Sequence, residues 1–142
     1  MDPQPQLFKY AKPNVTSGKA FVRLCQTSHL GASVQVVARG GENNLHFHRY
    51  QDGFFMVLAG RVRFYTEGDR LVADLGPNEG ILIPHDFKYW FESAGDQALE
   101  LIQVEANIRS LNQSEADAQR VDAAPRKPSF EAARFFDASR SY

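Results

Sequence analysis

A chain of 142 residues with 43% hydrophobic and 23% charged residues has the size and composition of one globular domain, able to bury about two thirds of its unfolded surface. A formal net charge of −1, with no basic block or aromatic–basic stripe, argues against nucleic acid as a partner. No apolar run approaches the roughly 18 residues of a membrane span, the first residues lack the regions of a signal peptide, and the single Cys25 excludes an internal disulfide and zinc-finger spacing. These features point to a soluble protein of a reducing cytoplasm.

Residues 1–18 are polar and broken by Pro3, Pro5, Pro13 and Gly18, which makes them an arm with a short strand around Leu7 and Phe8. From 19 to 106 short strands alternate with turns. The runs are 20–25, 33–38, 45–48, 54–59, 61–66, 71–75, 80–83, 89–92 and 99–106. They are separated by Gly40-Gly41, Asp52-Gly53, Glu67-Gly68-Asp69, Gly76 to Gly80, Pro84-His85-Asp86 and Ala94-Gly95-Asp96. Regularly spaced short strands with such punctuation predict an all-β antiparallel sandwich or small barrel. Beyond Asn107 the composition changes. Residues 114–120 read as a short helix, Pro125 and Pro128 mark a linker, and Ser129 caps a last helical turn with Phe130, Ala133 and Phe136 at helix-like spacing. This tail, 107–142, covers the barrel, packs on a second subunit or forms a loose end, and the residues leave the three open.

The centre of the chain holds His46-Phe47-His48. Side chains at i and i+2 of a strand share a face, so this pair aims two imidazoles at one place. Convergent imidazoles begin a transition-metal site or an acid–base pair. With four histidines in all this is a notable concentration; on its own it leaves open a shared site or one core and one surface residue, and the barrel context favours the shared inward-facing site.

Gly40, His46, His48 and Gly60, followed by Gly76 to Tyr89 with Pro84 as an anchoring proline, resemble the two motifs of the cupin superfamily. The resemblance implies an antiparallel jelly-roll barrel that holds a ligand or a metal inside. Two metal positions of the family are not matched: the glutamate of the first motif falls at Gly53, and the histidine of the second at Tyr89. The implied metal site therefore reduces to His46 and His48. Asp52 or Tyr89 is the candidate third ligand, with Gln51 and His85 nearby. Asp52 has the opposite strand parity and needs a bulge at Asp52-Gly53 to reach the site. His85 lies in a turn and is expected to face solvent. Such a site would hold iron, manganese, nickel or zinc only weakly.

Phe55 and Val57 share a face with position 53, and Phe91 shares one with Tyr89, so these three are the expected substrate-binding residues. They suggest an apolar cavity suited to a small, partly aromatic molecule. The resemblance implies oxygenase, isomerase, decarboxylase or cyclase chemistry in a small-molecule enzyme. That chemistry would be weakly metal-assisted, or metal-free with His46 or His48 as base and Tyr89 as acid. A non-catalytic ligand-binding barrel is the alternative. A sugar ketoisomerase, suggested by the basic Arg49 after the His pair, is a minor one. A homodimer is expected, with the arm adding to a neighbour's sheet edge.

Overall fold

The structure, a computed structural model, describes residues 3–109, 119–127 and 133–140. Its strands are β1 (Leu7–Phe8), β2 (Lys19–Gln26), β3 (Leu30–Val37), β4 (His46–His48), β5 (Gln51–Ala59), β6 (Val62–Thr66), β7 (Arg70–Leu75), β8 (Gly80–Ile83), β9 (Trp90–Ser93), β10 (Leu99–Asn107), β11 (Arg120–Asp122), β12 (Arg134–Asp137) and β13 (Ser139–Arg140). The nine expected strands correspond to β2 through β10. A large sheet runs in the order β12-β2-β3-β10-β5-β8. Opposite it lie β7-β6-β9 and the pair β11-β4, joined by an antiparallel bridge between His46 and Tyr89. This is the expected all-β jelly roll.

Strand alternation divides the apolar residues of the large sheet between its two faces. The inner face contributes Val37, Phe55, Val57, Leu99 and Leu101, which pack against Val62, Phe64 and Phe91 of the opposing sheet. The outer face carries a second cluster of Ala20, Val22, Leu24, Val34 and Val36, covered by Val15 and Tyr10 from the arm and by Ala138. The arm is pinned there by the Tyr10 hydroxyl, which donates to Glu100 at 2.6 Å.

The tail departs from the expected helical form. Most of the segment expected as a first helix, together with Phe130, lies outside the described residues. Arg120, its last residue, opens strand β11, and Phe136 lies within strand β12, which pairs in parallel with β2. The edge of β2 offers unpaired backbone groups that a short extended segment can satisfy. Phe135 stacks on Phe21 with ring centres 5.1 Å apart. Those gains outweigh a helix-like spacing carried by only three residues. Nor is β1 left as a lone edge, since it pairs with β13 of the same chain.

Gly60 links β5 to β6 with a φ of 84°, and a Cβ placed there would lie 2.9 Å from the Leu99 Cα. The conformation alone costs a non-glycine residue on the order of 1–3 kcal/mol, and backbone atoms cannot give way to relieve the contact. Gly60→Ala should therefore lower unfolding stability by about 2 kcal/mol or more in urea denaturation. An unchanged midpoint would contradict this close approach.

Candidate active site in the barrel

Strand β4 is three residues long, and both of its histidines turn toward the interior, as alternation requires. His46 is 1% exposed, and its imidazole lies 5.2 Å from that of His48, centre to centre. The Tyr89 ring approaches from the opposing motif, 4.5 Å from His46 and 6.4 Å from His48. Two main-chain hydrogen bonds fix this approach: His46 N–H donates to Tyr89 O at 3.1 Å, and Tyr89 N–H donates to His46 O at 2.9 Å. The three residues expected to form the site are thus brought together.

The hydrogen bonds select the tautomers. His46 Nδ1 lies 2.7 Å from the Asn44 carbonyl oxygen, which can only accept. The proton therefore sits on Nδ1 and Nε2 keeps its lone pair. His48 Nδ1 is 3.1 Å from Gln119 Oε1, and with the carboxamide in this orientation it too carries its proton on Nδ1. Burial, reinforced by the Arg120 guanidinium, holds His46 down to about 3 and His48 down to about 4. Burial pushes the Tyr89 phenol in the opposite direction, above its ordinary value. At neutral pH the site presents two neutral imidazoles and a protonated phenol.

These groups open on a cavity of about 280 Å³. The expected apolar cavity is mixed in character: Phe21, Tyr89, Phe91 and Phe135 line it together with Lys19, Gln35, Gln51, Gln103, Glu105 and Arg120. Gln35 and Gln103 come from β3 and β10, whose inner faces begin apolar, at Val37, Leu99 and Leu101, and turn polar further along. Among the expected substrate contacts, Phe91 lines this cavity. Phe55 lines only a crevice of about 10 Å³ beside His48 and is otherwise core. Val57 faces inward but lies one step deeper, opposite Leu101, fully buried in the core. Asp52 does not reach the imidazoles: its Oδ1 accepts the His85 main-chain N–H at 2.9 Å and holds the turn before β9. His85 is exposed, as expected, with its ring on Asp86. Gln51 does line the cavity and donates to Glu105.

Sequence reasoning missed Lys19, Gln35, Gln103, Glu105, Gln119 and Arg120. For Gln103 and Glu105 a signal existed, since they continue the inward parity of Leu99 and Leu101 and are polar. Glu105 lies directly across from Gly53 in the β5–β10 register, so a carboxylate stands one strand away from the vacant position. Its burial raises its pKa. Gln119 and Arg120 carried no local signal. They reach the site because β11 pairs with β4, setting Arg120 opposite His48.

A divalent metal would find two imidazole Nε2 atoms here, each with the Nδ1–H anchoring typical of metal ligands. Among the described residues no third His, Cys, Asp or Glu joins them into a metal-binding group, although Glu105 lines the same cavity. The phenol stays protonated, Asp52 is engaged elsewhere, and the Arg120 charge opposes a cation. The donor set does not fit a tightly held metal.

Two outcomes follow from this geometry. A Cβ on Gly53 would meet only the Val104 carbonyl oxygen, at 3.5 Å, and Gly53 lines the crevice beside His48. Gly53→Glu should therefore raise affinity for nickel or zinc at least about tenfold over wild type in titration calorimetry. An unchanged affinity would show that the position does not serve the imidazoles. The second outcome concerns pH. Both imidazoles titrate below the ordinary value of about 6.5, so between these limits the unfolded chain binds more protons. Their contribution is complete above pH ~6.5 and is lost as pH falls toward 4 and then 3, by up to about 1.4 kcal/mol per unit for each ring. Glu105, with its raised pKa, acts in the opposite sense, stabilising on the acid side. The denaturation midpoint of wild type should drop between pH ~6.5 and ~4, and drop less steeply in His48→Gln. A wild-type midpoint that is flat over that window would be inconsistent with neutral buried imidazoles.

A family model described as a cupin domain matches residues 33–105, more than half of the chain. The fold is similar to that of KdgF from Halomonas sp., at 20% identity and a TM-score of 0.61 over 75% of this chain and 96% of that one. It is also similar to an RmlC-like cupin family protein with a double-stranded β-helix fold from Methanocaldococcus jannaschii, at 18% identity and a TM-score of 0.58 over 75% and 93% of the two chains. The cupin domain of Cnp3 from Schizosaccharomyces pombe gives 16% identity and a TM-score of 0.58 over 75% and 74%. At these identities the likeness is one of fold. No curated protein matches the chain. The family model, the jelly roll and the inward His pair agree, and the chain belongs to the cupin family.

Proposed function

We propose that this cupin is an enzyme that moves protons on a small polar organic molecule held in the barrel, with His48 as general base and Tyr89 as general acid. The observation that carries the reading is the pairing of a protonated phenol with imidazoles whose Nδ1 protons are already committed, so that their Nε2 lone pairs remain. His48 is the base because it is the less buried of the two and the less strongly depressed. His46, bonded to the Asn44 carbonyl and lying against the Tyr89 ring, positions the acid.

The chemistry that suits such a pair is redox-neutral isomerisation or cyclisation. His48 Nε2 takes a proton from carbon next to a carbonyl, the electron pair moves to the carbonyl oxygen, and the Tyr89 O–H protonates that oxygen. Return of a proton at a neighbouring atom completes the isomerisation. The polar lining groups suit hydroxyl and carbonyl substituents, and Phe21, Phe91 and Phe135 offer apolar surface beside them.

The test is deuterium uptake from D2O by a panel of small ketones, aldoses and 2-oxo acids, followed by NMR. Uptake next to the carbonyl should proceed at the same rate in chelator-treated protein. It should fall at least about 100-fold in His48→Gln and in Tyr89→Phe. Uptake that disappears with chelator and returns with metal would replace this reading by a metal-assisted one. Binding without uptake would make the protein a non-catalytic ligand carrier.

A further inference from the structure

We infer that the cavity takes its ligand by a carboxylate group, held between the Lys19 ammonium and the Arg120 guanidinium. The inference rests on the proposed use of the cavity as the site, and it names the class of molecule that enters: a small hydroxy- or oxo-carboxylate.

Lys19 begins β2 on its inner face, opposite Val37, and is 3% exposed. Its cross-strand neighbour Val37 belongs to the apolar core, and burying an ammonium group is costly. Its Nζ lies 3.4 Å from Gln35 Oε1 and 5.3 Å from the ring centres of both Phe21 and Phe91. All four of these residues line the cavity.

Arg120 enters the same cavity from the other side, its side chain 19% exposed. Its Nη2 donates to Asn44 Oδ1 at 2.8 Å, and its Nε donates to Asp122 Oδ1 at 3.2 Å. Asn44 in turn donates to Asp122 Oδ1 at 3.0 Å and to the Ala124 carbonyl at 2.9 Å. The guanidinium is thus held by a preformed frame, which is the arrangement that favours planar recognition of a carboxylate.

Charge supports the choice of ligand. With neutral imidazoles, the lining holds two cations and the carboxylate of Glu105; behind the lining Asp122 pairs with Arg120, and Glu42 acts on Lys19. The positive groups also act on one another: burial first and the Arg120 charge second lower Lys19 to about 8, and both lower the two imidazoles. A single negative charge relieves that repulsion, while Glu105 would repel the second charge of a phosphate.

Lactate, its neutral analogue lactamide, and inorganic phosphate serve as probes in NMR titrations of the full chain. Lactate should bind saturably and perturb the Arg120 and His48 signals, with lactamide at least about tenfold weaker. Arg120→Gln and Lys19→Met should each weaken lactate at least about tenfold. Lys19→Met places an apolar side chain in a buried position, so it remains informative if Arg120→Gln loosens β11. Equal binding of lactamide, tighter binding of phosphate, no saturable lactate binding, or full affinity in Lys19→Met would each overturn the inference. His48→Gln separates the two proposals: it should keep lactate binding while losing deuterium uptake. Lactate binding that needs Lys19 and Arg120, in a protein that exchanges no proton, would sustain the anion site and refute the acid–base reading.

Discussion

The reciprocal main-chain hydrogen bonds between His46 and Tyr89 are the joint on which the site depends. They fasten a three-residue strand to the start of β9 and so bring the two sequence motifs face to face. A strand as short as β4 has little pairing of its own. It is held on one side by this bridge and on the other by β11, whose register sets Val121 against Phe47 and Asp122 against His46. Further bonds at both ends of the strand extend the grip: Arg49 N–H donates to Gln119 O at 2.8 Å and Ala123 N–H to Leu45 O at 2.9 Å. With β4 clamped between two neighbours, the imidazoles are held in place by backbone geometry, and their orientation follows from the carbonyl and carboxamide that accept their Nδ1 protons.

This clamping lets an electrostatically unusual interior persist. The barrel is filled by apolar side chains toward the Phe64 end and lined by polar groups toward the His pair. A ladder crosses that polar half, with Gln35 Nε2 donating to Gln103 Oε1 at 2.7 Å and Lys19 Nζ lying on Gln35 Oε1. Among the described residues every buried side-chain nitrogen and oxygen has a hydrogen-bond partner. Charged groups therefore sit in a low-dielectric space without orphaned polar atoms, which is the condition under which fixed dipoles act strongly on a bound molecule.

Much of the fold was legible in the sequence because its signals are local. Gly-rich and Pro-rich turns at hairpin spacing delimit strands, and the period of two sends His46 and His48 to one face. Tyr89 was legible through its place in the second motif. The rest depends on depth and on distance along the chain. Alternation assigns Val57 and Phe55 to the inner face, but it does not say how far into the core each lies. Lys19 was hidden at the edge between arm and barrel, where a polar residue reads as solvated. Arg120 and Gln119 are placed by pairing with a strand about 70 residues earlier, and nothing in their own neighbourhood announces it. The tail strand β12 was hidden for the same reason, since its partner is the first long strand of the domain.

The late arrival of β11 has a consequence for biosynthesis. All the strands of the two facing sheets from β2 to β10 lie before residue 108, so the jelly roll can close while the tail is still emerging from the ribosome. In that nascent barrel His48 lacks its Gln119 partner, and Arg120, the influence second to burial in lowering both imidazoles, is not yet in place. Folding of the scaffold and maturation of its chemistry are then separate events, the second waiting on a long-range closure between residues 71 positions apart. A chain cut by a protease between the barrel and β11 would keep its core and lose the residues, Gln119 and Arg120, that complete the lining of the cavity.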